Sequence, residues 1–156
     1  VVQAEEFSNN IEQTIFINEI MFNPEGNDYG NWQESEWIEL FNHSDQAIDL
    51  TNWVLEDEAN HLIEITNQNS DNNQNFADQG ETVILPHSFL VIYVNGAPIF
   101  NNSGDVVYLQ NSDGNLVDQH QYENFTNQGK TTGRSRNDLD LWLDNLEQTP
   151  NSANAQ

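Results

Sequence analysis

Between Glu36 and Asp57 the chain reads EWIELFNHSDQAIDLTNWVLED, three short apolar or aromatic runs separated by two polar breaks. Trp37 to Phe41 has the residue types of a strand, Asn42-His43-Ser44-Asp45 those of a turn, and Ala47 to Leu50 those of a second strand. Thr51-Asn52 breaks the pattern again before Trp53-Val54-Leu55. No helix fits between breaks so closely spaced, so the stretch is expected to be a meander or Greek-key fragment of an all-β domain. The same rhythm runs through most of the chain. Thr14 to Phe22, His61 to Ile65, Thr82 to Leu85 and Phe89 to Val94 read as strands, and the last, as the most apolar, is expected at a sheet centre. Asp105 to Gln110 and Leu116 to Tyr122 flank Asn111-Ser112-Asp113-Gly114-Asn115, which predicts a hairpin with Asp113-Gly114 at its tip. Asn23 to Asn31 and the polar run Asn67 to Gly80 are expected to be loops. Beyond Tyr122 the chain reads as irregular, with Trp142 its one obvious anchor. A 3.6-residue periodicity is not sustained anywhere, so the pattern points to an antiparallel β-sandwich.

A chain of 156 residues is one domain and buries roughly two thirds of its unfolded surface. It has no cysteine, so no disulfide or thiolate metal site staples it. Its apolar runs fall far short of the ~20 residues that span a bilayer as a helix. Twenty-six acidic residues against three basic ones give a formal net charge of −23. Such a surface repels nucleic acid and anionic lipid, and it repels copies of itself unless salt, divalent cations or basic partners intervene. Salt adaptation would explain the charge, but charged residues are only 19% of the chain, and asparagine and glutamine rival them. Carboxylate and amide oxygens together are the donors that Ca²⁺ prefers.

In order along the chain stand Ile17-Asn18-Glu19-Ile20 with Asn23-Pro24, then Glu36-Trp37-Ile38-Glu39-Leu40 with Asn42, then Asp49-Leu50 with Trp53, Leu55 and Asp57. Leu85-Pro86, Asn102-Ser103-Gly104-Asp105 with Val107 and Leu109, and Asp113-Gly114 with Val117-Asp118 and Tyr122 follow. Gly133-Arg134-Ser135, Trp142 and Thr149-Pro150 with Asn154 close the set. In this ordered set the chain resembles the lamin-tail domain family in its prokaryotic secreted form, over about Ile15 to Asn154. The resemblance implies an immunoglobulin-like antiparallel β-sandwich with an N-terminal extension: residues 14–156 as the domain and 1–13 as an arm. It implies a non-catalytic module. The heptad rod of the lamins themselves is missing from this chain.

The residues agree that no enzyme is assembled. His43, His61, His87 and His120 are scattered without zinc-type spacing. Gly129-Lys130-Thr131 lacks the earlier glycine, the strand and the helix of a phosphate loop. Calcium is the better candidate cofactor. The loop Glu25 to Glu36 offers Glu25, Asp28, Glu34 and Glu36, with Gly30 sixth and Glu36 twelfth as in a calcium loop, though Tyr29 takes a ligand position and no helices flank it. Asp71 within Asn69 to Asn75, and Asp138 and Asp140 with Asp144, make two further acidic groups. The plain reading of each is a solvated polar loop.

All three basic residues, Lys130, Arg134 and Arg136, lie close together. Their plain reading is pairing with nearby acids; their functional reading is a basic patch for the acidic surface of a neighbouring copy. Asn42, Asn101 and Asn124 sit in glycosylation sequons, a motif frequent by chance in an asparagine-rich chain. The arm carries Val1, Val2, Ala4, Phe7 and Ile11 among acids and amides. It reads either as a loose leader or as a strand added to the sheet edge of the next subunit, a contact that does not close and so builds filaments. The function expected is therefore an extracellular or cell-surface protein, freed of a signal peptide, that self-assembles with Ca²⁺ into a filament or surface layer of identical subunits. The alternative is an accessory binding module for carbohydrate or a cell surface, with Trp32 and Trp142 as sugar platforms.

Overall fold

The computed structural model describes residues 13–26, 35–71, 82–94, 96–124 and 126–154. The described residues form an immunoglobulin-like β-sandwich in which every strand pair is antiparallel. Twelve strands follow one another: β1 Ile15–Met21, β2 Trp37–Asn42, β3 Ile48–Asp49, β4 Val54–Glu56, β5 Leu62–Glu64, β6 Ser70–Asp71, β7 Val83–Ile84, β8 Phe89–Tyr93, β9 Gly104–Gln110, β10 Leu116–Glu123, β11 Thr131–Ser135 and β12 Asp138–Leu146. One sheet has the order β12-β11-β1-β2-β8-β6, the other β10-β9-β4-β5, and β3 and β7 form a small pair.

The core between the sheets follows from alternation. Ile38 and Leu40 of β2 and Leu90 and Ile92 of β8 point inward from the large sheet, and Leu55, Val107, Leu109 and Tyr122 meet them from the small one. In β1 the alternation changes phase. Ile15 and Ile17 face the core, and so do Ile20 and Phe22. The ladder to β2 slips between Ile17 and Glu19, leaving Asn18 as the extra residue of a bulge. That one residue is why β1 reads as apolar on both faces. It also turns Glu19 and Met21 to the side of the sheet away from the core.

Three sequence expectations change. The strands of Glu36 to Asp57 do not pair as a meander: β2, β3 and β4 lie in three different sheets. The run after Asn67 is not all loop, because Ser70 and Asp71 pair with Ile92 and Val91. Asp71 is nearly fully buried there, although its sequence surroundings are polar throughout. The chain after Tyr122 is not irregular: β11 and β12 form a hairpin, and β11 pairs directly with β1. β8 is flanked by β2 and β6 and so is an interior strand as expected, with β1 and β2 at the middle of the sheet. The β9–β10 hairpin turns where expected, with Gly114 at φ 79° accepting the left-handed conformation its tip requires.

Candidate functional site

The large sheet has a second buried face, the one turned away from the sandwich core. Cross-strand pairing lays its side chains out in three rows. Met21, Trp37 and Tyr93 form an apolar row, against which Val91, opposite Glu39, packs. Glu19 and Glu39 stand opposite each other in the middle row. Phe16, Phe41 and Phe89 form an aromatic row, with Phe41 and Phe89 stacked at 4.9 Å.

Both glutamates are fully buried. What buries them is the C-terminal segment after β12, which crosses the middle row as a strap. Thr149 donates its amide to Glu19 at 3.2 and 3.3 Å and its hydroxyl at 2.9 Å. Thr131 of β11 donates its hydroxyl to the same carboxylate at 2.5 Å. Glu39 accepts from the Asn18 side chain at 2.7 Å and from the Asn151 amide at 2.5 Å. Asn154 fastens the strap's end: its Nδ2 donates to the carbonyls of Asn18 at 3.0 Å and Arg134 at 2.7 Å, and its Oδ1 accepts from Thr149. Gly133 leaves the room for this, since a Cβ there would lie 2.5 Å from Asn154 Nδ2. Burial pushes the Glu19 carboxyl up to about 7 against the pull of its threonine donors. Burial, and then the neighbouring Glu19, raises Glu39 well above the ordinary carboxylate range. The arrangement resembles an acid–base dyad, but protein donors already occupy the carboxylate oxygens and the strap covers them. It works as a latch.

Arg134 sits at the other margin of this face, 7% exposed. Its guanidinium holds Asp118 through two contacts at 2.8 and 3.1 Å, donates to the carbonyls of Ile17 and Leu139, and lies over the rings of Phe16 and Trp142. Asp118 also accepts the Ile17 amide at 2.7 Å. This buried pair therefore ties β10 of the small sheet to β1 and β11 of the large one. His120 stacks on Trp142 at 3.4 Å, and burial, with Arg134 nearby, pushes its pKa down to about 4.

Between the aromatic row and the end of the strap a cavity of about 260 Å³ remains. Phe41, Phe89, Leu139 and Ala153 supply its apolar walls, with Arg136 and His87 beside them. Arg136 is exposed and, of the three lysine and arginine side chains, is the one with no ion-pair partner among the described residues. His87 pairs with Asp45 at 2.7 Å.

The described members of the sequence-predicted site set fall in different settings. Glu25 is exposed, whereas Glu36 is buried and accepts the amides of Ile99 and Phe100 at 2.9 and 3.1 Å. Asp71 lies in β6, where Asn151 donates to it at 3.4 Å. Asp138 and Asp140 are exposed at the start of β12, and Asp144 accepts the Thr126 hydroxyl. Asp28, Glu34, Trp32 and the arm residues Val1, Val2, Ala4, Phe7 and Ile11 lie outside the described residues. Among the described residues no group of three or more His, Asp and Glu side chains is placed to share a metal ion. Of the bases, Lys130 pairs with Glu147 and Arg134 is interior, so only Arg136 is left for the basic patch. Trp142 lies between His120 and Arg134 and is no open sugar platform. Asn42 is buried, its side chain donating to the carbonyls of Gln46, Ile84 and Leu85, so its sequon is structural.

Sequence reasoning missed Glu19 and Glu39 as a functional pair, because in so acidic a chain a carboxylate pair carries no information. The available signal was their setting: each is the lone acid inside a mostly apolar run, IFINEIMF and WIELF. No curated protein sequence matches the chain. Among solved structures it is similar to a chain of the archaellum periplasmic stator protein complex FlaF and FlaG from Sulfolobus acidocaldarius, at 13% identity and a TM-score of 0.36, over 78% of this chain and 99% of that one. The family model of the Lamin Tail Domain matches residues 9–124.

Proposed function

The chain belongs to the lamin tail domain family, and on that premise we propose that it is a non-catalytic extracellular structural protein that self-assembles into a filament or surface layer. Identical subunits join when the N-terminal arm of one, residues 1–13, adds as a strand to the sheet edge of the next, and Ca²⁺ bridges their acidic surfaces. The observation that carries this reading is β12. It is nine residues long, stands at the edge of the large sheet, and among the described residues pairs on one side only. An open edge of that length is a template for another chain. The buried acids support the non-catalytic part. Glu36, Asp57 and Asp105 accept loop amides, Asp118 holds Arg134, and Glu19 and Glu39 hold the strap. These interior carboxylates are occupied in holding the fold rather than arrayed around a reacting centre.

Calcium fits between copies better than within one. Of the predicted ligand set, Glu25 after β1 and Asp138 and Asp140 on β12 remain on the surface, and among the described residues no three acids are placed to share an ion. Two such surfaces facing each other supply the oxygens that one lacks. Electron microscopy of the full-length protein, with millimolar Ca²⁺ and with chelator, tests the reading. Filaments or sheets are expected with calcium, and dispersal on chelation. A monodisperse monomer in both conditions overturns it.

A further inference from the structure

We propose that the cavity between the aromatic row and the strap receives Phe7 from the N-terminal arm of a second copy, with Glu5 and Glu6 set against Arg136. This deepens the assembly reading and rests on it.

Four observations point to this occupant. The cavity, at about 260 Å³, is below the usual range for small-molecule sites and suits a single large side chain. Its walls are the stacked rings of Phe41 and Phe89 with Leu139 and Ala153, a surface on which an aromatic ring packs edge or face on. The charge at its rim is scarce in this chain: of three lysine and arginine side chains, the one without an acidic partner among the described residues stands here. A guanidinium beside an apolar cavity on a molecule of net charge −23 selects a segment that carries carboxylates next to an apolar residue. Within residues 1–13 the order Glu5-Glu6-Phe7 supplies that pattern, and Phe7 is the arm's one aromatic residue.

The open edge and the cavity are also contiguous. Leu139, next to the first residue of β12, lines the cavity, and Arg136 precedes that strand in the hairpin turn. A strand arriving along β12 therefore reaches the cavity without crossing the strap. Backbone pairing would hold the arm, while the cavity would fix its register through one anchoring ring, the division between ladder and pocket that strand addition uses.

The test uses full-length protein with Phe7→Ala and with Arg136→Glu, each read by sedimentation and electron microscopy, with the melting temperature as the check on folding. Arg136 is exposed and makes no ion pair among the described residues, so its charge reversal leaves the fold intact. Each variant alone is expected to weaken self-association by roughly tenfold or more. Mixed together they are expected to form a dimer that does not extend, because the intact arm of the Arg136→Glu chain enters the intact cavity of the Phe7→Ala chain. Combining Glu6→Arg with Arg136→Glu in one chain is expected to restore assembly. Wild-type assembly that neither variant changes overturns the cavity contact and leaves the assembly reading standing. A wild-type chain that is monomeric throughout overturns both.

Discussion

Glu19 and Glu39 face each other across two neighbouring strands beneath the strap, and water is excluded from both. Two charges so placed cost free energy that neutral side chains would not. The folded state therefore holds a proton on Glu19 up to about pH 7, where an unfolded chain releases it near 4.5. Between those values the native state binds more protons than the unfolded one, so stability is greatest at the acid end and falls as pH rises through 7. Each tenfold difference in proton affinity between the two states is worth about 1.4 kcal/mol, so Glu19 alone contributes about 2 kcal/mol of difference between roughly pH 5.5 and pH 8. This runs opposite to the usual destabilisation by acid. The Thr131 and Thr149 hydroxyls can reverse from donor to acceptor, so a proton on Glu19 still finds a partner. Glu19→Gln keeps the shape and removes the charge. Denaturant unfolding at the same two pH values is expected to show the wild type more stable at the lower pH, with much of that difference gone in Glu19→Gln. An unchanged pH profile in the variant would place the titration elsewhere.

The strap is the element that makes the outer face of the large sheet an interior. Its end is fixed by Asn154, which satisfies the carbonyls of Asn18 and Arg134 and accepts from Thr149. Asn154→Ala strips two buried carbonyls of their donor while the rest of the strap still keeps water out. The expected loss is about 2–6 kcal/mol, at about 1–3 per orphaned group. Hydrogen exchange gives the sharper check: the Thr149 and Asn151 amides, now bonded to Glu19 and Glu39, should lose protection while the amides of β2 and β8 keep theirs. Gly133→Ala, which pushes a Cβ into Asn154, should do the same. The strands of the sandwich body were legible because Ile, Val, Phe and Trp recur there between asparagine and glycine breaks. Residues 131–135, TTGRS, were not, because that strand has no apolar side chain: its threonine hydroxyls and arginine bond to neighbouring strands and its glycine leaves room for Asn154. Ser70–Asp71 was hidden for the same reason, as two polar residues whose burial is set by β8 beside them. Of the latch residues, Glu19 and Glu39 lie within the matched family region and Thr149 and Asn154 beyond it, and their meeting across more than a hundred residues of chain has no local signal.

At the scale of the whole molecule, charge decides what the fold can do with its open edge. A net −23 on a chain of this size opposes both compaction and the approach of a copy. Part of the acid complement is taken inside, where Asp57, Asp105 and Asp118 bond to amides, to His61 and to Arg134. What remains outside repels at distances that salt shortens, to about 10 Å at 0.1 M. Sodium chloride should therefore raise the melting temperature smoothly, by screening alone, and weaken nothing in the interior. Calcium acting as a bridge predicts a different curve. At equal ionic strength, millimolar Ca²⁺ should raise the melting temperature and the sedimentation coefficient together, more than Mg²⁺ does, because bridging needs several carboxylate and amide oxygens around one flexible ion and Mg²⁺ gives up its water reluctantly. The calcium effect should also depend on protein concentration, since an ion shared between copies stabilises by mass action on the assembled state. Equal curves for Ca²⁺, Mg²⁺ and NaCl at matched ionic strength would reduce the cation to a screen, and assembly would then rest on the arm and the edge of β12 without it.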